Sequence, residues 1–477
     1  MSGAALAANL GGIALFALPG LGLTELLAPA RRLRLQHRLG YAYLLGVVAV
    51  GGSLFVGSHL FGVPLHRPAI AAATLVPAVL GLAMWVRRRP RRGTERPARL
   101  GATPDRGRAW RLLAGMVIAA VCLGPLASAV SRPLQDWDGR IFWSAQAAYM
   151  RAAGTVDPPV LTEAQWFVIH PRYPPLLPLA QVAVQEIFGA GADDQFYRAL
   201  YVAFFAALLL VIHHGALRAS GPLPAILASL CVALPRLVSF GSGGATSANA
   251  DLALAGFYGG ALVLLLEERP GRVAGFAAGC LLAGAVMTKN EGELLAAVAL
   301  LMAASRLLRR RPRLSIAVHR LGWFVAAALP ALAATVLLAS WRAGIPNRDD
   351  EGYFASLRLG ELLHGAWTRL LPIVRGAGRL SLEWSEWQGL WLVFVVVLLA
   401  GYRALKRRLA RLMLLAGAAP LAIGFAAYAV TSRFPILMDE TWDRFLLQAS
   451  VPLAIVFACA IEALDEPPVK PGLAASS

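Results

Sequence analysis

Charged residues are scarce in this chain, and that scarcity limits the class of protein it can be. Asp, Glu, Lys and Arg make up 15% of the 477 residues, whereas hydrophobic residues make up 58%. Soluble domains carry roughly 25% charged residues. The apolar residues come in blocks of about 17–25, the length that crosses a hydrocarbon core of ~30 Å. Such blocks are too long for barrel strands, so the sequence predicts a helical membrane protein.

Familiar motifs of catalysis and nucleotide binding are also missing. The chain contains no GxxxxGKS/T phosphate loop, no HExxH, no GxSxG and no CxxC, so ATP-driven coupling and common hydrolase chemistry have no support. The four cysteines lack metal spacing and a disulfide context, and they are predicted to be small core residues. They are Cys122, Cys231, Cys280 and Cys459.

Acidic residues are outnumbered by basic ones, 27 against 45, which gives a net charge of +18. In a soluble protein this excess would indicate a nucleic-acid partner, but the interleaved basic and aromatic pattern of such proteins is missing. The excess is arginine clustered between apolar blocks, and basic loops stay on the cytoplasmic side of a membrane. Membrane lipids therefore explain the charge, and no nucleic-acid partner is predicted.

The apolar blocks predict an all-α, polytopic transmembrane bundle of about thirteen spans. The most basic loops are 30–39, 87–111, 306–320 and 403–411, and they alternate with less basic ones. This alternation predicts an N-terminus outside and a C-terminus inside a cytoplasmic (inner) membrane. The predicted spans are 5–28, 40–62, 69–86, 110–130, 195–217, 222–240, 250–266, 272–288, 293–308, 320–340, 388–402, 411–430 and 445–462.

The same pattern divides the chain into three regions. Residues 1–109 are predicted to form three accessory spans and, from residue 87, a basic cytoplasmic linker rich in Arg, Pro and Gly. Residues 110–462 are predicted to form a ten-span body. Residues 463–477 are polar and Pro-rich, and they are predicted to be a disordered cytoplasmic tail.

Two long loops, 131–194 and 341–388, lie outside in this topology. Loops of more than about 15 residues usually carry function or structure of their own. The first contains two amphipathic stretches, 139–152 and 176–188, which are predicted to be helices in the membrane interface. Acidic residues are also concentrated outside, which indicates a chemically active outer face or simple compensation of the outer arginines.

Three acids stand out in the outer segments. Asp136 and Asp138 open the first long loop, and in an extended segment their carboxylates point the same way. They could share a divalent cation or activate an acceptor hydroxyl, although Asp138 also suits a helix N-cap. Asp251 follows a Gly-rich stretch and opens a span, where an N-cap is again the simpler explanation.

Outer cationic residues form a second set of candidates. Lys289 is the only outer lysine, and a compact ammonium suits a phosphate oxygen. Arg444 precedes the last span, where a guanidinium can hold a lipid phosphate through two hydrogen bonds. His170 and Arg172 belong to a proline-rich turn before the second amphipathic stretch. Snorkelling would explain Lys289, and headgroup contact would explain His170 and Arg172, without a specific ligand.

The order of these motifs resembles that of the GT-C superfamily of membrane glycosyltransferases, especially the bacterial protein-mannosyltransferase and aminoarabinose-transferase-like branch. The resemblance covers about residues 110–462. It rests on DWD after a span, HPRYPPL before an amphipathic stretch, ANADL at a span start, the TKNEG turn and RFLLQASVP in a late span. It implies transfer of a sugar from a polyprenyl-phosphate donor to a lipid, glycan or protein acceptor, with the active site on the extracytoplasmic side.

The resemblance also implies roles for the acids. Asp138 matches the acid that acts as base or metal ligand, and Asp136 would assist it. Asp251 matches a second acid that is often near a divalent metal, so Asp138 and Asp251 would hold Mg or Mn. The family often has another acid directly after the first; here that position is Gly139, which puts metal dependence in question.

By the same resemblance, Lys289 and Arg444 match positions that hold the donor phosphate, and His170 and Arg172 match the turn more loosely. Two other functions fit the pattern. A lipid or solute transporter or flippase would place ionisable residues near the membrane midplane, whereas the predicted spans hold few acids. A polyprenol-dependent glycan polymerase or ligase would share the outer arginines and acids, and the sequence does not separate it from a transferase.

Overall fold

The computed structural model of the protein describes eight stretches of the chain. They are 3–27, 35–88, 106–163, 169–189, 196–266, 271–308, 314–346 and 359–465. The structure is all-α as predicted, with 84% of it helical and no strand within these stretches. The predicted linker from residue 87, the basic loop 306–320 and the tail 463–477 lie wholly or partly outside the described residues.

Nineteen α-helices are present in the described residues. The first nine are α1 (Gly3–Leu27), α2 (Leu35–Phe61), α3 (Arg67–Arg88), α4 (Arg106–Ser131), α5 (Ala145–Ala153), α6 (Leu176–Phe188), α7 (Ala199–Ala219), α8 (Pro222–Ala233) and α9 (Arg236–Phe240). The others are α10 (Asp251–Leu265), α11 (Arg272–Val286), α12 (Glu291–Leu308), α13 (Leu314–Ala343), α14 (Leu359–Ser381), α15 (Trp384–Trp387), α16 (Leu390–Ala400), α17 (Arg408–Val430), α18 (Ile436–Gln448) and α19 (Ser450–Leu464). A π-helical segment, Gly139–Ser144, runs directly into α5.

Several of these helices are long and apolar enough to cross a membrane, which supports a membrane-embedded protein. By length and composition they are α1, α2, α4, α7, α13 and α17, and the pair α18–α19, bent by 55°, makes a seventh span if it is counted as one. The predicted count of about thirteen spans is not confirmed by the described residues.

Six further apolar segments of the described helices, such as Arg67–Ala83 in α3, are too short to count as spans. They have 10–17 residues, whereas a straight span needs about 20. In α10, for example, all 15 residues from Asp251 to Leu265 are buried. A helix that other helices cover on all sides does not need to match the thickness of the lipid. An apolar block in the sequence therefore indicates burial, without showing whether lipid or protein surrounds it.

The two amphipathic stretches of the first long loop are helical, as predicted. The stretch 139–152 forms the π-helical segment and most of α5, and 176–188 forms α6. The interfacial position predicted for α6 is wrong, because Leu176–Gln185 is buried and the helix packs against α2 and α5. An exposed apolar stripe occurs instead on α14, in the second long loop. It includes Leu363, Trp367, Leu371 and Val374.

Helix α2 joins the predicted accessory region to the body. It packs against α6, α7 and α11 as well as α1, and its buried residues run from His37 to Ser58. Helix α2 therefore shares the hydrophobic core of the body.

One end of the bundle gathers several helix ends and loops. Helix α7 begins there, where Arg198 Nη2 donates a 3.0 Å hydrogen bond to the backbone oxygen of Thr246. The loop after α4, the start of α10 and the turn between α11 and α12 meet at this end, and they carry the candidate residues.

Candidate active site

Asp138 and Arg444 form an ion pair, although 306 positions separate them along the chain. Asp138 lies in the helical turn directly before the π-helical segment, and Arg444 lies in α18. The guanidinium Nη1 of Arg444 donates a hydrogen bond to Asp138 Oδ2. The two side chains are 16% and 14% exposed, so each charge has lost most of its water and depends on its partner.

Asp136, rather than Asp138, caps the helical segment that follows. Asp138 has helical backbone angles, φ −64° and ψ −39°, and its side chain makes no capping hydrogen bond. Asp136 Oδ1 instead accepts a 2.8 Å hydrogen bond from the backbone N–H of Gly139. Burial raises the pKa of the Asp136 carboxyl, and hydrogen bonds from Gly139 and Ser242 oppose part of this rise. The N-cap explanation for Asp138 is therefore wrong, and its carboxylate has another role.

Gly139 stands where the resembled family often has a second acid, and the structure explains the glycine. A Cβ at this position would lie 1.9 Å from the backbone oxygen of Ser247 and 3.3 Å from Ala248 Cβ. Real Cβ atoms do not come that close to another atom, so no side chain fits at position 139. The missing side chain lets the loop after α4 touch the loop before α10.

Asp251 is fully buried and is held by a lysine and a glutamine. Its Oδ1 accepts a 2.8 Å hydrogen bond from Lys289 Nζ and another of 2.8 Å from Gln448 Nε2. Lys289 also pairs with Glu291, at 3.2 Å. The N-cap explanation for Asp251 does not hold, because Ala250 occupies the cap position and Asp251 is the first residue of α10.

A tight turn between α11 and α12 presents Lys289 to Asp251. The backbone N–H of Gly292 donates a 2.9 Å hydrogen bond to the backbone oxygen of Lys289. A Cβ at Gly292 would lie 1.9 Å from the backbone oxygen of Ala285. Only glycine therefore allows α12 to start this close to the end of α11, which accounts for the TKNEG motif.

Helix α18 connects the two acid–cation pairs. Arg444 and Gln448 are four residues apart, so they lie one turn apart on the same face of the helix. Arg444 binds Asp138, Gln448 binds Asp251, and the guanidinium also interacts electrostatically with both Asp251 and Asp136. Five of the predicted residues thus come together in one group, here called the charge cluster. Its members are Asp136, Asp138, Asp251, Lys289 and Arg444.

Some polar atoms in and beside the charge cluster are buried and have no hydrogen-bond partner among the described residues. They are Asp251 Oδ2, Arg444 Nε and Gln448 Oε1. Roughly 90% or more of buried polar groups in folded proteins are hydrogen-bonded. These three atoms lie on side chains that contact one another, so they are available together to a polar ligand.

His170 and Arg172 lie beside the charge cluster and not in it. His170 stacks on Tyr173, with ring centroids 4.9 Å apart, and meets the edge of Phe142 at 4.5 Å. The backbone oxygen of Arg172 accepts a 3.0 Å hydrogen bond from Arg342 Nε. Within the described residues, neither side chain forms a hydrogen bond or an ion pair with the charge cluster.

Gln448 and Asn249 are site residues that sequence reasoning missed. Gln448 is uncharged and lies inside a predicted span, so only its four-residue spacing from Arg444 could have singled it out. Asn249 Oδ1 accepts a 3.3 Å hydrogen bond from Trp143 Nε1. This bond ties the π-helical segment to the loop before α10, and no local pattern in the sequence indicates it.

An apolar cavity lies next to the turn that carries Lys289. It has a volume of about 170 Å³, and its walls come from α2, α11, α13 and the start of α6. Met287, two residues before Lys289, forms part of the wall, and its backbone oxygen accepts a 3.0 Å hydrogen bond from the backbone N–H of Leu176. Because side chains of hydrophobic residues line it, the cavity suits hydrocarbon.

Metal binding by Asp138 and Asp251 stays a prediction. In the described part of the chain, no group of three or more His, Cys, Asp or Glu side chains is arranged to hold a metal ion. Each of the two acids is also paired with a protein cation, Arg444 or Lys289, which a divalent ion would have to displace. The donor set in this arrangement therefore does not fit Mg or Mn.

Comparison with known proteins assigns no family to this chain. No family model, no curated protein and no solved structure matches it. The resemblance to the GT-C superfamily therefore stays a prediction from motif order, and the function has to be inferred from the site.

Proposed function

We propose that this protein is a glycosyltransferase that moves a sugar from a polyprenyl-phosphate donor to an acceptor at the outer face of the inner membrane. The observation that carries the proposal is the charge cluster, in which acids and cations from separate segments meet at one end of the bundle. Transfer from a lipid phosphate needs this combination, because a base must take a proton from the acceptor and cations must stabilise the departing phosphate.

In the proposed reaction, Asp138 is the base. The acceptor hydroxyl oxygen attacks the anomeric carbon of the donor sugar, and the hydroxyl proton passes to the Asp138 carboxylate. The bond between the anomeric carbon and the phosphate oxygen breaks, and its electron pair stays on the phosphate. Asp138 then returns the proton to solvent. It suits this role because it caps no helix, while Asp136 supports the segment that holds it.

Arg444 and Lys289 are the proposed binding groups for the donor phosphate. A guanidinium can hold two phosphate oxygens at once, whereas an ammonium acts as a compact point charge. Asp251 would keep Lys289 in place through their 2.8 Å ion pair. His170 and Arg172, in the neighbouring turn, would make secondary contacts with the donor.

The apolar cavity beside Met287 supports a lipid-linked donor. A phosphate bound at Lys289 would leave the first units of its prenyl chain close to this cavity, and burial of hydrocarbon contributes about 25 cal/mol per Å². The acceptor would approach from the side of Trp137, which is 65% exposed and directly precedes the proposed base.

The position of the charges favours an enzyme over a transporter. Transporters usually place ionisable residues near the midplane of their spans. Here Asp251 is the first residue of α10, Lys289 lies between α11 and α12, and Asp138 lies in the first turn of the helical segment after α4. Charges at helix ends suit chemistry at a membrane surface, where a lipid phosphate and a polar acceptor meet.

The test is a transfer assay with the purified protein in phosphatidylcholine nanodiscs. A panel of polyprenyl-phosphate sugars is offered together with an extract of cell-envelope glycolipids, and released polyprenyl phosphate is measured. We expect one donor to be consumed, and the Asp138→Asn variant to lose about 10²–10⁴-fold of the rate, the typical contribution of a general base.

The matched control for this assay is Asp439→Asn. Asp439 makes an ion pair with Arg379 at 2.5 Å, but both side chains are more than half exposed, and the pair lies outside the charge cluster. This variant should transfer at the wild-type rate. Full activity of Asp138→Asn, or consumption of no donor by the wild-type protein, would contradict the proposal.

A further inference from the structure

We infer that the donor phosphate and the Asp138 carboxylate compete for the Arg444 guanidinium, so that donor binding itself releases the base. The inference rests on the proposed function and adds an order of events to it. In the structure, Asp138 Oδ2 accepts a hydrogen bond from Arg444 Nη1. While Oδ2 accepts this hydrogen bond, the carboxylate is turned towards Arg444 and that oxygen is not free to accept a proton from an acceptor hydroxyl.

Arg444 is the cation that an arriving phosphate can use most readily. Its Nη1 is bound to Asp138, whereas its buried Nε has no partner among the described residues. Lys289 is engaged twice, with Asp251 at 2.8 Å and with Glu291 at 3.2 Å. A phosphate binds a guanidinium through two parallel hydrogen bonds. It therefore takes over the N–H groups that hold Asp138.

The second pair, Lys289 with Asp251, is not built for such an exchange. Asp251 is completely buried, and Gln448 holds the same carboxylate oxygen as Lys289 does. Asp138 lies in the first turn of the helical segment that follows α4, is 14% exposed and follows the exposed Trp137. A partly exposed side chain at the start of a helix can turn towards solvent, whereas the Asp251 side chain, with no exposed surface, cannot. The exchange therefore takes place at Asp138.

This exchange sets the order in which the substrates react. Before the donor binds, the Asp138 carboxylate is held in its ion pair with Arg444, and it does not activate an acceptor hydroxyl in the site. Once the phosphate occupies Arg444, the carboxylate is released beside the sugar that is to be transferred. After transfer, polyprenyl phosphate leaves and Asp138 returns to Arg444.

The first test measures binding of undecaprenyl phosphate to the full chain in phosphatidylcholine nanodiscs, with undecaprenol as the control for the hydrocarbon chain. We expect Asp138→Asn to bind undecaprenyl phosphate more tightly than wild type, by about tenfold, because a charged competitor is removed. Arg444→Gln should lose the preference for the phosphate. Binding of undecaprenol should not change in either variant.

The outcomes separate the inference from the proposed function. If wild type binds undecaprenyl phosphate no better than undecaprenol, the proposed function fails. If wild type prefers the phosphate but Asp138→Asn binds it equally well or more weakly, the exchange alone is overturned. Equal tightening in Asp439→Asn would show a general charge effect and would also overturn the exchange.

A second measurement uses the unmodified protein, so it does not depend on the folding of a variant. Carboxylates are coupled to glycine ethyl ester with a carbodiimide, and the labelled peptides are quantified by mass spectrometry. Undecaprenyl phosphate should increase labelling of Asp138, while Asp251 stays unlabelled and Asp439 labels equally with and without the lipid. Unchanged or reduced labelling of Asp138 at saturating lipid would overturn the exchange.

Discussion

Two buried polar clusters lie towards opposite ends of α7, and they are built from different chemistry. The charge cluster lies where α7 begins. The second, here called the histidine cluster, consists of His37 and Tyr41 from α2 with His213 and His214 from α7. His37 Nε2 lies 2.9 Å from His213 Nδ1, and the Tyr41 hydroxyl lies 3.0 Å from His214 Nδ1. At ~1.5 Å per residue, His213 is about 21 Å along the helix from Ala199.

The difference between the clusters shows how buried polar groups divide between structure and function. Imidazole and phenol groups donate and accept hydrogen bonds to one another, so the histidine cluster can satisfy itself without a formal charge. Carboxylates only accept and cations only donate, so the charge cluster depends on strict pairing. Its residues still leave polar atoms such as Asp251 Oδ2 and Arg444 Nε without a partner in the described part of the chain. We therefore interpret the histidine cluster as a structural contact between α2 and α7, and the charge cluster as a functional site.

Of the variants that test this interpretation, Arg444→Ala should have the largest effect on stability and on the transfer rate. The change leaves the Asp138 carboxylate without its partner cation, and breaking a buried ion pair in this way destabilises a protein by about 3–5 kcal/mol. Transfer should fall by roughly 10²–10³-fold or more, as when an enzyme loses one donor to a developing anion. Thermal unfolding in detergent and the transfer rate are the measurements. Arg379→Ala, in an exposed pair, is the control and should cost about 0–1 kcal/mol.

Gln448→Leu tests whether a neutral residue belongs to the charge cluster. It removes a hydrogen bond to the Asp251 carboxylate, and such bonds to charged groups are worth about 1.5–3 kcal/mol. We expect weaker binding of undecaprenyl phosphate, because Asp251 and with it Lys289 are held less firmly. The matched control is Gln181→Leu, which removes a 2.6 Å hydrogen bond to the neutral Tyr201 hydroxyl. Equal effects of both variants on lipid binding would remove Gln448 from the site.

Asp136→Ala should have a smaller effect on stability than Gln448→Leu. It tests whether Asp136 acts as a helix cap while Asp138, two residues later, acts as the base. The variant loses the hydrogen bond to the backbone N–H of Gly139, and loss of a helix cap costs about 0.5–2 kcal/mol. Asp136→Asn should restore most of the stability, because Asn caps about as well as Asp. Unfolding of both variants and their transfer rates provide the comparison. A loss of transfer in Asp136→Asn as large as in Asp138→Asn would assign chemistry to both acids.

The smallest effect is expected for Tyr41→Phe in the histidine cluster. It removes one hydrogen bond to His214 and keeps the ring, so stability should fall by about 0.5–1.5 kcal/mol. Transfer and lipid binding should stay at wild-type values, because the histidine cluster lies towards the end of α7 that is remote from the charge cluster. A clear loss of transfer in a stably folded Tyr41→Phe variant would mean that the two clusters are coupled, and the division between them would fail.

Local patterns in the sequence predicted the helical class and the helices at 139–152 and 176–188, because a 3.6-residue apolar period is itself a local property. They also placed the candidate acids and cations at segment ends, where hydropathy changes. They did not predict the buried position of α6, and the predicted number of spans is not confirmed by the described residues. An apolar block is the same in sequence whether lipid or other helices surround it, and only the packing of α6 against α2 and α5 separates the two cases.

The sequence by itself determined the helical membrane class and which charged residues a site could use. Only the tertiary structure decided their partners. Arg444 meets Asp138 across 306 positions, and Lys289 meets Asp251 across 38. Such contacts depend on how helices pack and on close approaches such as that of Gly139 to Ser247. The same packing explains why Asp136, and not Asp138, is the helix cap. The Asp138 carboxylate binds Arg444, and the backbone N–H of Gly139 donates its hydrogen bond to Asp136.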